Sequence, residues 1–329
     1  MSPLKYLARF GIDGFLLGLM LMVVLAVLWP DLGKTGGLVQ LDLFTNYGVS
    51  VVFLLYGLTL SAERLKAGLL NWRLHLLTQA STFLMFPLLV WGLGLLAGNW
   101  LSDDLKLGFF YLAASPSTIS SSVAMTSIAQ GNVAGAIFNA SLSSLIGVLA
   151  TPLWVNWYLS ASGQSLDLMH VIVKILILVV APIIGGQVLR PILWGWLSKR
   201  LGLVKLLDRA TILAIVFNSF ADSVAEGIWQ GKGLQTVLVV GGLSLALFFM
   251  VMGLLQMLCS WLGFTREDRV AGVFCGTKKS LAAGVPMAKV MFGATPTLGV
   301  VIAPIMVYHF LQLVAASMIA RRWGEQAHR

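Results

Sequence analysis

Phe274-Cys275-Gly276-Thr277-Lys278-Lys279-Ser280-Leu281-Ala282-Ala283-Gly284-Val285-Pro286 sets two adjacent lysines in the middle of an apolar run from about Val270 to Phe292. A lysine at the centre of a bilayer costs roughly 2.5–3.5 kcal/mol on insertion scales, so such residues face a cavity, a partner or a substrate path. Gly276, Gly284 and Pro286 bracket the pair. Glycine with proline in one membrane helix predicts a broken backbone, tolerated only inside protein or beside water. The alternative is a short cytoplasmic loop carrying a basic pair. That reading leaves apolar spans too short for the membrane on either side.

Outward from this stretch the whole chain is apolar: of 329 residues, 58% are hydrophobic and only 11% charged. That composition describes a polytopic membrane protein. The net charge of +9 does not imply nucleic acid, because the basic residues sit in short loops between spans and follow membrane topology. Cys259 and Cys275 lie in apolar sequence without CxxC spacing, which favours packing over a disulfide or a metal. Lys5 and Arg9 precede the run Gly14–Trp29. That run exceeds a signal-peptide core and lacks a small-residue cleavage site, so it reads as a retained first span.

Hydropathy predicts an all-α protein of ten spans, each about 20 residues long, at 11–29, 46–62, 74–97, 106–129, 132–160, 168–196, 209–229, 235–262, 268–291 and 296–320. With the N-terminus inside, fifteen lysines and arginines fall on the inner side, among them Arg64, Lys66, Arg73, Arg266, Arg269, Arg321, Arg322 and Arg329. Only three, Lys34, Lys106 and Lys232, fall outside. The positive-inside rule therefore puts both termini in the cytoplasm.

Five spans and five predict a duplication, residues 1–161 and 162–329, whose second copy runs inverted. Its physical support is a shared oddity. The fourth span carries Ser115-Pro116-Ser117-Thr118 at its centre, and the ninth carries Gly276-Thr277-Lys278-Lys279-Ser280. Interrupted segments at matching places in two halves point to a transporter's binding site. The fourth span also holds Ser120, Ser121, Ser122, Thr126 and Ser127, while Pro116 disfavours helix at Ser115. Single hydroxyls in membrane helices often only bond to the preceding turn or help close packing. A cluster beside a proline is the better site candidate.

Several strings resemble the bile acid:sodium symporter superfamily. Ala129-Gln130-Gly131-Asn132-Val133-Ala134 resembles the A-R-G-N-V-A at the end of that family's fourth span, and Ser115-Pro116 its C-P break. Gly276 stands where the family has the glycine of E-V-G-M-Q-N. Trp72–His75, Phe274–Ala282 and Ala320–Arg322 resemble the W-R-L-H, F-C-G-[ST]-K-K-S-L-A and A-R-R strings of one branch. That branch, the SBF-like one, holds the seventh member of solute carrier family ten and its bacterial relatives, and the resemblance runs over nearly the whole length. It implies a panel of the first, second, sixth and seventh spans and a core of the other six. The broken fourth and ninth helices would cross near the midplane, with alternating access between panel and core. It also implies a bacterial inner membrane and a small-molecule substrate, with no nucleic acid partner and no cofactor.

The family's sodium ligands are not kept. Aligned on Gly131-Asn132 and Gly276, the fourth-span pair is Ser122-Val123, the fifth-span serine and threonine are Ala136 and Ala140, the glutamate is Phe274, and the glutamine and asparagine are Lys278 and Lys279. These positions speak against sodium coupling. Backbone carbonyls freed at a crossover favour a cation, so Lys278 or Lys279 is expected to replace sodium, or to couple transport to protons. Two lysines and half-helix N-termini among apolar walls suit a small organic anion. Alternatives are a proton-coupled exporter and a non-transporting membrane regulator on the same fold.

Secondary candidates are Asp222, beside Asn218 and Ser219, which could line the crevice or pair with a lysine, and the stripe Tyr308, His309, Gln312, where His309 could relay protons. Gln79 could answer a third-span glutamine of the family. Asp13, Lys174 and Lys289 are expected to snorkel. The pairs Gly14/Gly18, Gly94/Gly98 and Gly131/Gly135 read as helix-packing signals. Four scattered histidines and no acidic pair beside a nucleophile give neither a metal site nor a hydrolytic triad, so no enzyme is expected.

Overall fold

The computed structural model describes residues 14–59, 71–161, 168–227, 233–293 and 295–327, and every regular element among them is helical. Asp13 and the topology-setting Lys5, Arg9, Arg64, Lys66, Lys232 and Arg329 lie outside the described residues. An apolar chain in lipid has to satisfy its backbone within each segment, and helices do so. The elements are α1 (Gly14–Leu28), α2 (Pro30–Gly33), α3 (Leu41–Thr59), α4 (Trp72–Ala80), a π turn (Ser81–Met85) leading into α5 (Phe86–Ala97), α6 (Asp103–Ala114) and α7 (Ser120–Ile128). There follow α8 (Val133–Ala161), α9 (Leu168–Ile175), a second π turn (Leu176–Val180), α10 (Ala181–Leu197), a 3-10 turn (Ser198–Arg200) and α11 (Leu201–Ala225). The last four are α12 (Gly233–Trp261), α13 (Arg266–Thr277), α14 (Leu281–Phe292) and α15 (Leu298–Ala327).

Six helical stretches among the described residues are long and apolar enough to cross a membrane: Leu41–Thr59, Trp72–Ala97, Val133–Ala161, Val171–Ala225, Gln235–Trp261 and Leu298–Ala327. The expected ten differ from these six for physical reasons. The apolar helix Leu17–Leu28 is short. The sixth and seventh segments run on through the 3-10 turn, so Val171–Ala225 is one stretch. The fourth and ninth segments are each divided in two. The seventh segment also starts at Leu201, not residue 209. Lys205 is exposed there, and leucine and lysine are good helix formers that hydropathy alone reads as loop.

The first break has the expected cause. Ser115, before Pro116, is extended at φ −70°, ψ 151°, as the proline ring demands of the residue it follows. The second lies at the lysines themselves: Lys278 is extended at φ −93°, ψ 146°, and the Ser280 side chain caps α14 by accepting from the Ala283 N–H. Pro286, expected to mark the break, sits inside α14. Gly276 serves close approach, since a Cβ there would lie 2.7 Å from Leu255 Cδ1.

α1, α3, α10 and α11 pack chiefly on one another, α6 packs on α15, α12 on α15 and α13, and α8 on α6 and α7, while α11 also packs on α14 and α15. The α3 and α10 backbones touch. A Cβ on Gly57 would fall on the Ile183 carbonyl, and one on Gly186 on the Leu54 carbonyl. Gly186→Val is expected to lower the unfolding temperature, since overpacking costs about 1–3 kcal/mol and more against backbone. Gly185→Val is the control: its Cβ would meet only Leu54 Cδ1, at 3.7 Å. Equal melting of the two variants would refute the contact.

The glycine pairs chosen from spacing fare unevenly. Gly14, Gly94 and Gly98 have open space around them, whereas a Cβ on Gly131 would lie 2.5 Å from Val270 Cγ1 and one on Gly135 2.8 Å from Leu74 Cδ2. Spacing finds glycines on one face but not whether another helix lies across that face.

Candidate functional site

The two breaks are bonded to each other. The Ser280 N–H donates to the Pro116 carbonyl at 2.8 Å, and the Ser117 hydroxyl crosses to the Cys275 carbonyl at 2.5 Å. The Ser122 hydroxyl reaches the Phe274 carbonyl at 3.2 Å, and Ser117 N–H donates to Ser143 Oγ at 2.9 Å. A helix that stops inside protein strands its last carbonyls, and their partners account for most of the polar residues here.

At the end of α6, Ser115 N–H donates to the Tyr111 and Leu112 carbonyls, and Thr151 Oγ1 to that of Ala114 at 2.8 Å. Ala113 and Ser115 remain. The Lys279 ammonium donates to both, at 2.6 and 2.9 Å. Its third donor goes to the Thr82 carbonyl at 2.9 Å. That carbonyl is stranded by the third segment. Phe86 N–H, its normal helical donor, is spent on Ser81 in the π turn, and the next residue, Pro87, has no N–H. Pro87 likewise strands the Phe83 carbonyl, which takes the Trp154 indole N–H at 2.7 Å. An ammonium has three donors. Those of Lys279 are all used, over the Phe86 ring with its centroid 4.2 Å away.

At the end of α13, Ser81 Oγ donates to the Gly276 carbonyl at 3.3 Å and the Tyr308 hydroxyl to that of Thr277 at 2.6 Å. The Thr277 hydroxyl bonds back to Val273. Gln312 clamps the backbone of Lys279 from both sides, accepting from its N–H and donating to its carbonyl, each at 2.8 Å. The same amide nitrogen lies 2.9 Å from His309 Nδ1.

Lys278 is also fully buried, but it has one hydrogen bond, to the Ser121 carbonyl at 2.8 Å, and the Phe274 ring at 5.6 Å. Beside it Thr118 Oγ1 is 2.6 Å from Ser121 Oγ and 2.9 Å from Ser122 Oγ. The ion pairs among the described residues involve neither lysine of the break.

The remaining candidates lie elsewhere. Gln79 donates to Asn139 on α8. Asp222 accepts from the Thr35 N–H at 2.6 Å and hydroxyl at 2.8 Å, so it fixes the turn after α2; the ion pairs among the described residues do not include it. Lys289 does not snorkel. It is buried, because α14 packs between α11 and α15, and it donates to Asn218 Oδ1 at 2.9 Å. Sequence reading missed Ser81, Thr82, Pro87 and Tyr111, whose hydroxyl bonds the Gly284 carbonyl at 2.6 Å. The visible signal was Pro87, inside an apolar span.

The residues present do not fit sodium. Ala136 and Ala140 are fully buried, Ala136 in apolar packing with Leu74, Ala271 and Cys275. Phe274 lies against Trp323. The carbonyls at the breaks already accept from Lys279 and from hydroxyls, and a hard cation needs several free oxygens. Gly131-Asn132 serves as a clamp: Asn132 Nδ2 donates to Asp268 Oδ1 at 2.7 Å, Asn71 donates to Oδ2 at 2.7 Å, and Asn132 N–H to the Glu267 carbonyl.

The model of the SBF-like CPA transporter family matches residues 13–325. Uncharacterized protein PA2026 of Pseudomonas aeruginosa is 39% identical over 318 residues, which cover 97% of this chain and 95% of that one. Putative symporter YfeH of Escherichia coli is 34% identical over 322 residues, with 97% and 95% covered. Sodium/bile acid cotransporter 7 of Mus musculus is 29% identical over 319 residues, with 96% and 94% covered.

Proposed function

The chain belongs to the SBF-like CPA transporter family, and we propose that it moves small organic anions across the membrane by alternating access, with the cation at its crossover built into the chain. It is an integral membrane protein and no enzyme, as the family and its membrane-length helices establish. The observation that carries the proposal is Lys279, whose ammonium occupies three stranded carbonyls where two broken helices meet. A tethered ammonium there does the electrostatic work of a bound cation and never leaves, so the transport cycle needs no sodium.

The finer architecture we propose is ten spans in two inverted repeats, residues 1–161 and 162–329, with both termini cytoplasmic. The Ser280–Pro116 bond and the Ser117–Cys275 bond support a crossing of equivalent breaks. The packing of α1, α3, α10 and α11 as one body supports a panel moving against a core. The substrate class rests on charge: the break holds two lysines and no carboxylate paired with them among the described residues.

Proteoliposomes test this directly. Uptake of labelled taurocholate and of shorter sulfonates and carboxylates is expected to run at the same rate in sodium, potassium or choline medium. Uptake that stops without sodium would overturn the built-in cation, and uptake of organic cations instead would overturn the substrate class. A cysteine replacing the exposed Ser120 should react with an impermeant thiol reagent from both faces in turn. The two native cysteines are buried and leave the background low. Reaction from one face only would favour a regulator that does not transport.

A further inference from the structure

We infer that the two lysines divide the work, Lys279 holding the fold and Lys278 receiving the anionic group of the substrate; this rests on the transport reading above. The juxtaposition that carries it is a fully buried ammonium with a single hydrogen bond, to the Ser121 carbonyl, beside the clustered hydroxyls of Thr118, Ser121 and Ser122. Lys279 makes three hydrogen bonds and an aromatic contact, whereas Lys278 makes one. Both are fully buried, and a buried charge without paired partners is costly. That cost persists in a fold where the charge has a second occupant to meet.

The surroundings point the same way. Lys278 bonds the carbonyl of Ser121, in the first turn of α7. The N-cap of α7 is Ile119, which offers its first N–H groups no side-chain acceptor; α14, at the other break, is capped by Ser280. The Thr118, Ser121 and Ser122 hydroxyls are clustered there, and Ser120 and part of Ser121 are open to the outside of the core. A carboxylate or sulfonate entering beside Ser120 would meet the hydroxyl cluster first and, beyond it, the Lys278 ammonium.

The test needs no knowledge of the natural substrate. Purified full-length protein, Lys278→Met and Lys279→Met are melted in chloride, formate and acetate salts at one ionic strength. Lys278→Met should unfold a few degrees above the wild type in chloride, because it loses a buried charge with a single hydrogen bond. It should also lose the rise in melting temperature that formate and acetate give the wild type. Lys279→Met should unfold well below the wild type in all three. If Lys278→Met is destabilised as much as Lys279→Met, or responds to formate as the wild type does, the assignment is wrong. Uptake separates this from the transport reading. Anion uptake by the wild type that survives Lys278→Met unchanged removes Lys278 and leaves the transporter. Uptake of cations by the wild type removes both.

Discussion

Lys279→Met should unfold far below the wild type, losing about 3 kcal/mol or more of stability, since each stranded buried polar group costs about 1–3 kcal/mol. Three carbonyls, those of Thr82, Ala113 and Ser115, lose their donor at once. Methionine matches the length of the lysine stem and keeps the packing against Phe86, so the loss reports on the hydrogen bonds. Removing the ammonium also removes its own desolvation cost, which sets the net below the sum of three. Lys279→Arg should not restore the protein. The three acceptors converge on one nitrogen, whereas a guanidinium spreads its donors in a planar fork. Thermal unfolding of purified protein in detergent measures both variants, and a methionine variant that melts with the wild type would sink the account of the break.

Much of this site was legible in the sequence because its anomalies are expensive. Two lysines in an apolar run, or a Ser-Pro amid hydroxyls, have few explanations in lipid. The reason for so many hydroxyls was less visible. Ser117 and Ser122 cross to the opposite break, while the Ser115 and Thr126 hydroxyls bond back to their own helix. One-dimensional sequence cannot separate the two groups, because the difference lies in which way each residue faces. The same limit hid Thr82: its role comes from a π turn and Pro87, far in sequence from the lysine that needs it. Lys289 was misjudged for a related reason. Hydropathy gives depth along a span but not the neighbour across it, and this residue turned out to face Asn218 on α11.

The second large effect concerns Gln312, whose importance a polar stripe alone did not reveal. Its amide meets both backbone groups of Lys279, and no helix ladder serves them because the residue lies in the break. Gln312→Leu leaves the buried Lys279 N–H unpaired and its carbonyl with only His309 Nδ1, 3.4 Å away, and should cost about 1–3 kcal/mol. Gln312→Glu separates structure from charge. A carboxylate still accepts from the Lys279 N–H but has no donor for the carbonyl, so its stability should fall between wild type and the leucine variant. It also brings a negative charge against the lysines, and anion uptake should collapse further than stability does. His309 tests whether the clamp acts as a unit, since its Nδ1 lies 2.9 Å from the Gln312 amide. Because His309 Nδ1 also lies 3.4 Å from the Lys279 carbonyl, the effects of Gln312→Leu and His309→Ala should not add, as expected of residues in one network. Should Gln312→Leu melt and transport as the wild type does, the break would have to be held by some other group, and the clamp would be wrong.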